Sequence, residues 1–145
     1  MKTIQINNQL SISGQLTSSD VKTLASNGIK VLICNRPDGE ATDQPSYKEI
    51  EAAAIESNIT FINIPFSGIS VPADSLTAFL NIIDTNKSSI HAYCRTGNRC
   101  SILWGLSYAR THSVEETVLE AHTHGFNYKP VVLEQLQTVS DKYNS

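Results

Sequence analysis

Ile4, Ile6, Leu10 and Ile12 fall on alternate positions either side of Asn7-Asn8, the pattern of a two-stranded hairpin with one apolar face. Both asparagines tolerate the positive φ of a tight hairpin turn, so the turn is expected there. Past Gly14 the period changes: Thr17 stands as a cap before Val21 and Leu24 at helical spacing, and Asn27-Gly28 supplies a left-handed stop. Ile29–Cys34 (IKVLIC) is then a continuous apolar run rich in β-branched residues, the mark of a parallel strand covered on both faces. The alternation repeats. Ser46 opens a helix through Ile50, Ala53 and Ala54 that Asn58 closes, and Thr60–Ile64 forms a second strand ended by Pro65. Ser70 with Val71-Pro72 opens a helix whose Leu76, Phe79, Leu80 and Ile83 share one face, and Ser89–Tyr93 is a third strand. Further helices are expected at about 100–110, at 113–123, where Ser113 and Glu116 form a capping box, and from Pro130 onward.

Strands alternating with helices over short connections predict an α/β fold: a three-layer α/β/α sandwich with a central, mainly parallel sheet, right-handed crossovers and an N-terminal β-hairpin. The chain has 145 residues, 40% of them apolar, enough for one core, so 1–145 is read as a single domain without linker or repeat. In such sheets ligands bind beyond the carboxyl ends of the strands. That rule singles out three loops: Asn35–Pro45, Pro65–Ser70 and Arg95–Cys100.

Charge narrows the partners. The net charge of −3, with no run of Lys or Arg, leaves nucleic acid without an electrostatic footprint. No segment approaches the ~20 apolar residues of a bilayer span, and MKTIQINNQL has no continuous apolar stretch, so a soluble, unprocessed, cytoplasmic protein with no membrane partner is expected. No cofactor is indicated. His122 and His124 in AHTHG would need further ligands to hold a metal, so none is assigned. The oligomeric state is left open. Cys34, Cys94 and Cys100 are odd in number and lack a disulfide-framework spacing, which suits a reducing compartment and makes each thiol a candidate for chemistry.

The third loop carries the strongest signal. HAYCRTGNRCSILWGL places Cys94 at a strand end, before a Gly-containing turn and an apolar helix. A thiol there faces unpaired amides and the positive end of the helix dipole, both of which favour the thiolate. Arg95 and Arg99 add full positive charge, and Gly97 lets the backbone turn its amides inward. Cys94 thus reads as an ionised nucleophile in a ring of amides fit for phosphate or sulfate, with Thr96, Asn98, Cys100 and Ser101 completing the cradle. A buried strand-end thiol is the plainer alternative, but two guanidinium groups so close to it are then hard to explain.

Cys94–Ser101 resembles the signature of cysteine-dependent tyrosine and dual-specificity phosphatases, with Gly97 and Ser101 in register. The sixth position after the register begins is Cys100, with arginine one place early at Arg99, and Tyr93 stands where those phosphatases usually carry histidine. The shorter register, Cys94-Arg95-Thr96-Gly97-Asn98-Arg99, resembles the persulfide-carrying loop of rhodanese-type sulfurtransferases. Over roughly residues 10–135, SISGQ, NRPDGE, FINIPFSG and CRTGNR occur in the order of the bacterial phosphatase-like domain family found in beta-lactamase-hydrolase-like proteins. That resemblance implies the tyrosine-phosphatase-like sandwich.

Phosphate-ester hydrolysis needs a thiolate, a guanidinium clamp and an acid for the departing oxygen. Cys94 and Arg99 supply the first two. By the resemblance, the acid of dual-specificity phosphatases belongs on a loop such as Pro65–Ser70, which here has no carboxyl group; Asp38 is the nearest substitute, although Pro-Asp-Gly is also an ordinary turn. Arg36 stands at the same edge as a second clamp or as a partner of Asp38 and Glu40. Sulfur transfer from thiosulfate or a persulfide needs no such acid, and Cys94, Arg95 and Arg99 meet its demands. A phosphatase-like hydrolase is therefore expected first, a sulfurtransferase second, and a module that binds an oxyanion or phosphorylated partner without turnover third. By analogy with the backdoor disulfides of some phosphatases, Cys34 is a redox partner for Cys94, with Cys100 within sequence reach.

Overall fold

The computed structural model describes Met1–Asn144 and contains a five-stranded sheet in the order β1-β2-β5-β3-β4. The hairpin forms from β1 (Thr3–Gln5) and β2 (Leu10–Ser13), antiparallel, with Ile4 opposite Ile12. Its turn is not the two-residue one expected. No asparagine there has positive φ; the Asn7 side chain instead accepts the amides of Gln9 and Leu10, both at 2.8 Å, and Ile6 N–H donates to Leu10 O. An Asx side chain can build a turn without left-handed backbone, and it does so here.

The remaining strands run parallel to β2: β5 (Ile90–Tyr93) beside it, then β3 (Val31–Cys34), then β4 (Thr60–Asn63) at the far edge. Strand parity sorts the core into two layers. Val31 and Ile33 of β3 and Ile90 and Ala92 of β5 pack towards α3 (Ala73–Thr85), α4 (Asn98–Tyr108), α5 (Val114–Thr123) and α6 (Pro130–Asn144). Leu32, Cys34 and Tyr93 join the opposite cluster with Val21 and Leu24 of α1 (Ser18–Ser26) and Ile50, Ala53 and Ala54 of α2 (Tyr47–Glu56). The three layers expected from the alternation are those that form. Burial of each such Leu or Ile contributes about 1.5–3 kcal/mol relative to exposure.

Helix ends follow local chemistry. Thr17 and Asp20 close a capping box on α1, as Ser113 and Glu116 do on α5, and Gly28 and Asn58 take the left-handed conformation after α1 and α2. Ser70 does not cap α3; Pro72 holds the cap position without a side-chain bond. The helix expected at about 100–110 starts earlier, at Asn98, because left-handed Gly97 (φ 94°) turns the chain directly from the loop into α4. That shift decides the geometry of the loop. No helix among the described residues is long and apolar enough to cross a membrane.

Candidate active site

β5 is the middle strand, and Cys94 is the first residue beyond it, still tied to β2 through Cys94 N–H donating to Ser13 O (3.4 Å). Its side chain continues the Ile90/Ala92 face and is 1% exposed. The loop then wraps its amides around the sulfur. Gly97 N–H donates to Cys94 Sγ at 3.1 Å, and the backbone N–H groups of Thr96, Arg99 and Cys100 converge on the same atom. Two glycines make this possible. A Cβ on Gly97 would lie 3.1 Å from Ile12 Cγ2, and one on Gly14 would lie 2.8 Å from the carbonyl oxygen of Arg95.

The Cys94 thiol is lowered to a pKa of about 5. The largest cause is the hydrogen bond from the Cys100 thiol; burial opposes it, and the loop amides add to it. Cys100 itself is fully buried and pushed well above its ordinary value, first by desolvation and then by the neighbouring thiolate, so it remains a protonated donor. Cys100 is buried in the core and absent from the cleft lining, not on the ligand side, where the sequence placed it with the substrate-binding residues. Ser101 also departs from that placing: it is fully buried and its hydroxyl donates to Asn98 O at 2.8 Å, inside the first turn of α4.

Arg99 closes the loop. Its guanidinium donates from Nη1 to Glu40 Oε2 and from Nη2 to Glu40 Oε1, both at 2.8 Å, and from Nη1 to Phe66 O at 3.0 Å; it also hydrogen-bonds Cys94. Glu40 in turn accepts from Arg36 Nε at 3.1 Å, and the two guanidinium groups hold its carboxyl below the usual range. Arg36, 4% exposed, also donates to Gln15 Oε1 at 2.9 Å. The sequence reading offered Glu40 only as a partner for Arg36; its hold on Arg99 spans 59 residues and leaves no local signal.

Glu40, Gly68, Ile69, Arg95, Thr96, Asn98 and Arg99 line an open cleft of about 450 Å³ above the loop. Arg95 and Thr96 are exposed at its rim. Asp38 is not brought there: it is exposed, and its Oδ1 accepts Tyr47 N–H at 2.8 Å at the start of α2. The Pro-Asp-Gly segment is thus a turn whose carboxylate caps a helix, which leaves it away from the cleft lining. Cys34 faces the other core layer, where its thiol donates to Arg36 O at 3.3 Å and hydrogen-bonds Tyr93, so sheet parity separates it from the Cys94 face. All three cysteines are unbridged.

A three-layer sandwich with a buried cysteine after its central strand and a Gly-containing turn into the next helix has the tyrosine-phosphatase-like fold. The structure of Tk-PTP in its active form shares that fold, with a TM-score of 0.78 at 16% identity over 97% of each chain. Residues 3–111 match the model of the phosphatase-like domain of beta-lactamase hydrolase-like protein. The chain is 33% identical over 129 residues to the beta-lactamase hydrolase-like protein of Xylella fastidiosa, covering 88% of this chain and 30% of that one. It also superposes on a candidate phosphatase of Neisseria meningitidis with a TM-score of 0.81 and 33% identity, covering 94% of this chain and 96% of the other. The chain belongs to the phosphatase-like domain family of beta-lactamase hydrolase-like proteins, and it spans less than a third of the curated relative it matches.

Proposed function

We propose that this domain is a cysteine-dependent phosphatase, in which the Cys94 thiolate attacks the phosphorus of a phosphate group seated on the 94–100 loop. The observation that carries the reading is the geometry around the sulfur: Cys94 Sγ is buried at the end of the central strand, accepts Gly97 N–H at 3.1 Å, and its pKa is lowered to about 5, first by the Cys100 thiol and then by loop amides. Arg99, held flat by Glu40, presents a guanidinium to the equatorial oxygens, and the amides of Thr96 to Cys100 take up the charge that grows in the transition state. Attack forms a thiophosphoryl bond and breaks the bond to the leaving oxygen. Water then attacks phosphorus, the thiolate departs, and inorganic phosphate is released.

One observation favours a second reading. The loop closes with four residues between Cys94 and Arg99, the shorter register that resembles rhodanese-type loops, so Cys94 would there accept the outer sulfur of thiosulfate and release sulfite. The test is a paired assay on one preparation: phosphate release from p-nitrophenyl phosphate, and thiocyanate formation from thiosulfate and cyanide. Phosphate release that disappears in Cys94→Ser supports the phosphatase; activity only in the second assay replaces it with the sulfurtransferase. Silence in both, with measurable phosphate binding, leaves an oxyanion-binding module.

A further inference from the structure

Among the described residues, the cleft above Cys94 is lined by the anion-clamp arginine and by no free proton donor for a leaving group. Glu40 is the carboxylate in its lining, and it is gripped by both Arg99 and Arg36, which keep it ionised. The segment Ile64–Pro72, which overhangs the site through Gly68 and Ile69, offers no carboxyl, imidazole, phenol or thiol. Asp38 caps α2, and Asp74 lies in the first turn of α3, outside the cleft lining. His91 is sealed below between Ser11 Oγ and Ser13 Oγ, each at 2.7 Å.

A second cleft, of about 380 Å³, adjoins the first and shares Arg95 with it. Its lining includes Arg36, Gln15, Thr17, Gln44 and the exposed Asp43. Arg95 has no carboxylate partner among the described residues, so its charge is available between the two clefts. A catalytic cleft whose described lining holds no free acid, beside the unpaired Arg95, is matched to a leaving group that departs as an anion, and exposed Asp43 in the adjoining cleft is the carboxylate the test must include. An alkoxide leaves poorly without protonation, whereas a phosphate departs as a stable anion and needs none.

Resting on Cys94 as phosphoryl acceptor, we propose that the substrates are phosphoric anhydrides, with the transferred phosphoryl group over Cys94 and the departing phosphate between Arg95 and Arg36 in the adjoining cleft. In the first step the S–P bond forms and the bridging P–O bond breaks, its electron pair staying on the departing phosphate, which takes no proton from the protein. Water then attacks phosphorus, the electron pair of the S–P bond returns to Cys94, and the water proton leaves with inorganic phosphate or to solvent.

The experiment compares kcat/KM for inorganic pyrophosphate, p-nitrophenyl phosphate, phenyl phosphate and glycerol phosphate, in wild type, Cys94→Ser, Arg95→Ala, Asp43→Asn, Asp38→Asn and Asp74→Asn. A missing general acid corresponds to about 10²–10⁴-fold, so glycerol phosphate is expected at least ~100-fold below pyrophosphate, with phenyl phosphate well below p-nitrophenyl phosphate. In Arg95→Ala the ratio of pyrophosphate to p-nitrophenyl phosphate turnover is expected to fall about tenfold, the loss of one charged contact. Glycerol phosphate within tenfold of pyrophosphate, or a basic limb in the pH profile that vanishes in Asp43→Asn, Asp38→Asn or Asp74→Asn, would overturn the proposal by revealing an acid. An unchanged ratio in Arg95→Ala overturns the assignment of the second cleft. Absence of Cys94-dependent hydrolysis for p-nitrophenyl phosphate as well would instead remove the phosphatase reading beneath it.

Discussion

The Cys100 thiol hydrogen-bonds the reactive sulfur, and its removal has a calculable consequence. The Cys94 thiol moves from an ordinary 9.0 to about 5, with the bond from the Cys100 thiol as the leading cause. A hydrogen bond to a charged group is worth ~1.5–3 kcal/mol, which is ~1–2 pKa units at 1.36 kcal/mol per unit. Cys100→Ala should therefore raise the Cys94 midpoint to ~6–7, while Cys100→Ser, which keeps a donor, should stay near the wild type. At pH 7 the loss of thiolate would be modest. At pH 6 it would be plain, with the ionised fraction falling from roughly nine-tenths to about a quarter for a midpoint of ~6.5. The assay is the pH dependence of iodoacetamide alkylation at Cys94, followed by mass spectrometry and by the thiolate absorbance near the ultraviolet edge. Thermal melts accompany it, because truncating a fully buried side chain also leaves a small void. If Cys100→Ala titrates at the wild-type midpoint while remaining folded, the amides and Arg99 alone hold the thiolate and the role assigned to Cys100 is wrong.

Three further outcomes are expected. Glu40→Gln frees Arg99 from the pair at 2.8 Å and leaves the site more positive, so kcat should fall about tenfold, ~1.4 kcal/mol, without a rise in KM; a raised KM at unchanged kcat would contradict a positioning role. Gly14→Ala sets a methyl 2.8 Å from Arg95 O, and slower Cys94 alkylation with a near-native circular dichroism spectrum is expected; native reactivity would show that the loop absorbs the displacement. Burial lowers the His91 pKa to about 4, below an unfolded value near 6.5, so its stabilisation is complete above pH 6.5 and is lost as pH falls towards 4, by about 3 kcal/mol. Urea midpoints at pH 7, 6 and 5 should show that slope in wild type and a flatter one in His91→Gln, and equal slopes would assign the pH dependence to other groups. Glu40 and Asp84, whose pKa values are lowered, contribute their stabilisation above the usual carboxylate range and lose it only as pH falls further, so they do not shape the slope between pH 7 and 5.

Where a feature depends on neighbours in the chain, residue pattern carried it; where it depends on a distant partner, it did not. Val21 with Leu24, Ile50 with Ala53, and the IKVLIC run located their elements because helical and strand periods are local, and the capping pairs Thr17/Asp20 and Ser113/Glu116 act over three residues. Asn7 was placed in the right turn with the wrong mechanism, since left-handed backbone and an Asx side-chain turn draw on the same residue type. The loop itself was legible in Cys94, Gly97 and Arg99, but its register was not. Helix starts are uncertain by a few residues, and two residues decide whether Cys100 or Ser101 faces the sulfur.

Asp38 and Glu40 show the sharper limit. Both are acidic, two residues apart in NRPDGE at the carboxyl edge of β3, and composition cannot rank them. The ranking comes from where the turn aims each carboxylate: Asp38 back to the amide that starts α2, Glu40 across the edge to Arg99. Gln44 fixes that turn by accepting from Glu40 N–H at 3.0 Å and donating to Pro37 O at 2.9 Å. In the proposed reaction, the same turn that keeps Asp38 from the leaving group holds Glu40 on Arg99. A proton donor at position 38 and a held Arg99 would demand different turns, and in this chain the second arrangement is the one formed.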